Sequence, residues 1–82
     1  MWRTLIYYMP EYSDVAKKLQ DNYIANQKEA DIISETEQDN IEYAREKQYD
    51  EAIFIEAPDT VVIHDIKSGY TNRCPILDVY YK

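Results

Sequence analysis

The sequence predicts an α/β domain built on a mixed sheet of four or five strands, in the order β-α-β-α-β-β. Three observations carry this. Short runs of apolar and aromatic residues alternate with stretches of helical spacing over residues 4–48. Two β-branched runs then flank the turn dipeptide Pro58-Asp59, which is the pattern of an antiparallel hairpin. With 82 residues and a hydrophobic fraction of 45%, the chain makes one domain with a modest core.

The elements follow in order. Thr4–Met9 is an apolar and aromatic run stopped by Pro10, which reads as a strand buried on both faces. Tyr12, Val15, Ala16, Leu19 and Tyr23 recur at helical spacing, with Asp14, Lys17, Lys18, Gln20 and Asp21 on the other side. They predict an amphipathic helix from about Glu11 to about Ala25. Ala30–Ile33 is a second short strand. Ser34 or Thr36 can cap a following helix, with Glu37 and Asp39 in its positive first turn. That helix runs to about Gln48 on a thin apolar stripe of Ile41, Ala44 and Tyr43, so its stability must come from docking. Glu51–Ala57 and Thr60–Ile66 form the hairpin, Lys67-Ser68-Gly69 is a turn, and Ile76–Tyr81 is a candidate last strand. The two β-α-β units should cross over right-handed and give parallel neighbours. Whether the helices share a face is open at this stage.

Charge excludes whole classes of function. Sixteen acids against nine bases give a net charge of −7. Nucleic-acid affinity depends on cations that displace counterions from phosphates, so no nucleic-acid partner is expected. An anionic membrane surface is disfavoured for the same reason. Cys74 is the sole cysteine, which precludes an internal disulfide or a thiolate zinc site. No stretch has the length or apolarity of a membrane span, and a cytoplasmic setting is expected.

No catalytic, cofactor-binding or metal-binding residue is expected. His64 is the only histidine. It shares a face with Val62 and Ile66 by strand alternation and reads as a structural residue. The acids Asp31, Glu35, Glu37 and Asp39 lack the alternation and tight-turn glycine of a calcium loop. A single glycine in the chain rules out a phosphate-cradling loop. Nine tyrosines are more than so small a core can hide. Tyrosine buries area while keeping a polar tip, and the terminal group Trp2, Tyr80 and Tyr81 is the candidate interface.

A family resemblance adds to this. Asn40 to Ile55, with Tyr43-Ala44-Arg45-Glu46-Lys47 in a helix before the apolar strand, continues into Val61–Ile66. This stretch resembles the end of an anticodon-binding-type domain. More narrowly, it resembles the C-terminal domain of the regulatory subunit of ATP phosphoribosyltransferase, a paralogue of histidyl-tRNA synthetase. The recognisable pattern covers about 27 residues, and residues 4–35 match in element order and length. The resemblance implies a non-catalytic regulatory domain in histidine biosynthesis, the C-terminal piece of a larger protein. Its partner would be the catalytic subunit or a second copy, and it would need no cofactor. One residue departs from the family pattern. Gln48 stands where a glycine is common, which argues against a left-handed helix cap. Two rivals remain. One is a stand-alone acidic protein-binding module, such as a phage or mobile-element inhibitor. The other is a tRNA anticodon-binding domain, which the charge disfavours.

Overall fold

The computed structural model describes residues 2–34 and 40–80. Five strands form one mixed sheet. They are β1 (Arg3–Tyr8), β2 (Glu29–Ser34), β3 (Glu51–Ala57), β4 (Thr60–Asp65) and β5 (Thr71–Pro75), in the spatial order β2-β1-β3-β4-β5. Strand β1 is parallel to both of its neighbours, while β3-β4 and β4-β5 are antiparallel. The α/β class, the mixed sheet and the hairpin around Pro58-Asp59 are as the sequence predicts.

Two helices make the crossovers, α1 (Ser13–Ala25) and α2 (Asn40–Glu46). The first carries the chain from β1 outward to β2, and the second carries it back past β1 to β3. Right-handed crossovers running in opposite directions place their helices on opposite faces. The cores agree. Ala16, Leu19 and Tyr23 of α1 pack on Ile6, Ala30, Ile53, Ile55 and Val61. Ala44 of α2 packs on Leu5, Tyr49 and Ala52 on the other side. Strand β1 therefore buries Thr4, Leu5 and Ile6 in succession, as a strand covered on both faces must. Full burial of side chains such as Leu5, Ile6 and Ile53 stabilises by about 1.5–3 kcal/mol each.

Two sequence expectations need correction. The last strand is Thr71–Pro75, and Ile76–Asp78 is a 3-10 turn. Pro75 faces outward on the edge strand, where its missing N–H costs the ladder nothing. The Ile76 amide makes the last in-register bond, to the Asp59 carbonyl (2.8 Å), and Ile76 then opens the 3-10 turn and packs in the α1-side core. Gln48 does adopt the left-handed conformation, at φ 63°, and Gln27 after α1 does the same. In both places the next amide reaches back to close the helix, Tyr49 to Ala44 (2.9 Å) and Lys28 to Tyr23 (2.9 Å). These are Schellman closures made without glycine. Ser34 closes β2. Thr36, Glu37 and Asp39 lie outside the described residues.

Candidate interaction surface

The register builds rows of side chains across the sheet. On the α2 face one row runs Ile33, Tyr7, Phe54, Val62, Arg73, one residue from each strand. The next row toward the strand starts runs Asp31, Leu5, Ala52, His64, Thr71. Among the described residues, helix α2 spans seven, Asn40–Glu46. It covers the β1 side of this face, where Leu5, Ala44, Tyr49 and Ala52 form a core with Tyr7, Ile33, Ile41, Tyr43 and Ile66 packed against it. Phe54 and Val62 are half-buried and belong to neither core. Phe54 stacks on Tyr7 with ring centroids 5.0 Å apart. Arg73 beside Val62 donates from Nη2 to Glu56 Oε1 (2.8 Å). The β3-β4-β5 half of the face is therefore an aromatic and aliphatic strip edged by one ion pair.

Strand β5 is the outer strand of this half. The Asp65 amide donates to the Tyr70 carbonyl (2.8 Å), which fixes the alternation of the β4-β5 ladder. By that alternation Asn72 and Cys74 turn their backbone polar groups toward β4, and Thr71 and Arg73 turn theirs outward.

The other end of the α2 face is closed by a polar clasp. The Tyr49 hydroxyl donates to Asp31 Oδ2 (2.6 Å), and the Arg3 guanidinium lies 4.5 Å above the Tyr49 ring. Arg3 also donates to the Lys47 carbonyl (2.8 Å), and its amide donates to Asp50 Oδ2 (2.8 Å). Burial, the Asp31 hydrogen bond and the Asp31 charge all push the Tyr49 hydroxyl pKa well above that of an ordinary tyrosine.

The residues singled out from sequence are dispersed. Trp2 is exposed beside the start of β1. Tyr80 is half-buried against the α1-side core, where burial raises its pKa. Tyr81 lies outside the described residues. His64 and Cys74 are on opposite faces of the sheet. His64 is opposite Ala52 and within 2.7 Å of the Thr71 hydroxyl, whereas Cys74 packs on the α1-side core. Asp31 is engaged by Tyr49, and Glu35, Glu37 and Asp39 are outside the described residues. Among the described residues, no three His, Cys, Asp or Glu side chains are grouped to hold a metal, and no helix is long and apolar enough to cross a membrane. Sequence reasoning missed the Phe54-Val62-Arg73 strip. Its signal was the alternation of Phe54 against the buried Ile53 and Ile55, which assigns Phe54 to a face that the thin second helix cannot fill.

Compared with known proteins, the chain matches no family model and no curated sequence.

Proposed function

We propose that this chain is a non-catalytic protein-interaction domain that docks its partner on the β3-β4-β5 half of the α2 face. One observation carries the reading: Phe54 and Val62 lie side by side on a sheet face, outside both cores. Aromatic side chains held on a rigid sheet are the usual anchors of a protein interface.

The family resemblance suggests which interaction. The domain would serve the regulatory subunit of ATP phosphoribosyltransferase, in the first step of histidine biosynthesis, in the cytoplasm. The five-stranded mixed sheet supports this, since the resemblance rests on the same element order. The left-handed Gln48 supports it too, because the backbone there has the shape that a glycine would give. Analytical ultracentrifugation with the catalytic subunit tests the reading, using the regulatory subunit with and without this domain. Reduced assembly or weakened histidine inhibition on deletion is expected. Unchanged assembly and inhibition would refute it.

The net charge of −7 favours a second reading, a stand-alone acidic module that occupies a basic protein. A reading frame that continues upstream of Met1 into synthetase-like sequence would rule this out.

A further inference from the structure

We propose that the open half of the sheet receives a cationic amphipathic segment of a protein partner. Its apolar side would lie on Phe54 and Val62, and its Lys or Arg side chains over Asp59 and Glu11. This rests on the interaction-domain reading above and adds the chemistry of the partner.

Charge is unevenly placed around the strip. Five bases, Arg3, Lys28, Arg45, Lys47 and Lys67, belong to segments at the end of the sheet where the parallel strands start. Arg3 and Lys67 are already paired with Glu29 and Asp50. Lys17 and Lys18 ride on α1, across the sheet from the strip. On the open half-face, Arg73 is the one base among the described residues, and Glu56 holds it at 2.8 Å. The strip runs toward the end where β1 and β3 finish. There Glu11 follows β1 and Asp59 forms the β3-β4 turn, both exposed. Met9 keeps an extended backbone (φ −72°, ψ 146°) after β1, which by alternation puts it on the Tyr7 face, and it is 38% exposed. An apolar strip bordered by Met9 therefore ends in carboxylates, and its one guanidinium is neutralised. An anionic or purely apolar segment would leave Glu11 and Asp59 without compensation, whereas a cationic amphipathic segment satisfies both parts.

The test uses the whole chain and two synthetic probes, a leucine-lysine amphipathic helical peptide and the same peptide with glutamate for lysine. Isothermal titration calorimetry gives affinity, and two-dimensional NMR of the labelled protein gives location. The lysine peptide is expected to bind, to shift the amides of Phe54, Val62 and Arg73, and to weaken as salt is raised. The double variant Glu11→Lys/Asp59→Lys, its fold checked by thermal melting, should bind that peptide about tenfold more weakly. Any of four results overturns the proposal: no binding of the lysine peptide, equal binding of the glutamate peptide, an unchanged double variant, or shifts confined to the α1 face. Assembly with the catalytic subunit involves neither peptide. Its failure alongside intact peptide binding would sink the broader reading alone, and the converse would sink only this one.

Discussion

Gln27 and Gln48 hold φ at 63°, a conformation that places Cβ against the following carbonyl oxygen. The residues that follow are the reason these positions are tolerated. Tyr23 is buried, and the Lys28 amide bonds back to it; Tyr49 is buried, and its amide bonds back to Ala44. Docking of those groups fixes the turn whether or not the side chain suits it. Glycine relieves the strain but loosens the unfolded chain, so the net gain is smaller than the strain itself. Gln27→Gly and Gln48→Gly should each stabilise the fold by about 0.5–1 kcal/mol, read from urea midpoints at an unchanged slope. Tyr49 gives a second prediction, in pH. Its hydroxyl pKa is raised in the folded state, so above pH about 10 the unfolded chain loses that proton before the folded one does. Fewer protons on the unfolded state mean that stability falls as pH rises, with a slope of up to about 1.4 kcal/mol per unit from this group. Below pH about 10 it contributes no slope. Urea titrations between pH about 8 and about 11 should show a shallower alkaline loss in Tyr49→Phe than in the parent chain.

The seven described residues of α2 are too few to make a helix that is stable in isolation, and they depend on where Ala44 sits. Ala44 is fully buried between Leu5 and Ala52, so two alanines set the close approach of helix to sheet. Ala44→Leu raises helix propensity little and overfills that contact. It should destabilise by about 1–3 kcal/mol, and hydrogen exchange should show α2 opening before β1 or β3. What could be read from sequence follows the same physics. Strands β1 and β3 are legible because burial on both faces demands unbroken apolar runs, and α1 is legible because Ala16, Leu19 and Tyr23 must share one stripe. Strand β5 was not. Thr71, Asn72 and Arg73 are exposed, and an edge strand gains its ladder from β4 whatever its side chains are. Ile76 and Val79, which suggested a strand, owe their apolarity to packing on the α1-side core in and after the 3-10 turn that follows β5. The interaction strip was half legible. Alternation assigns Phe54 and Val62 to one face, but only the strand order shows that α2 stops short of them.

At the scale of the molecule, the excess of negative charge and the ion pairs oppose one another. Five pairs are present among the described residues: Arg3-Glu29, Lys17-Asp21, Arg45-Glu42, Lys67-Asp50 and Arg73-Glu56. Each involves at least one well-exposed side chain, and such pairs contribute about 0–1 kcal/mol apiece. Their geometry also varies, from 2.7 Å for Arg45-Glu42 to 3.7 Å for Lys67-Asp50, so several sit at the weak end of that range. Against them stands a formal charge of −7, folded into a body with a radius of gyration of 11.5 Å. Self-repulsion at that density favours the expanded chain. Salt weakens both terms, but repulsion acts over many pairs of charges at distances where screening is strongest. Raising NaCl from about 0.01 M to about 1 M shortens the Debye length from about 30 Å to about 3 Å. The thermal midpoint should therefore rise over this range. A Lys17→Gln variant, which removes the exposed Lys17-Asp21 pair and makes the charge more negative, should gain more from salt than the parent chain does. Calorimetry of the two proteins across the salt series decides the matter. A midpoint that falls with salt would mean that the ion pairs outweigh the self-repulsion.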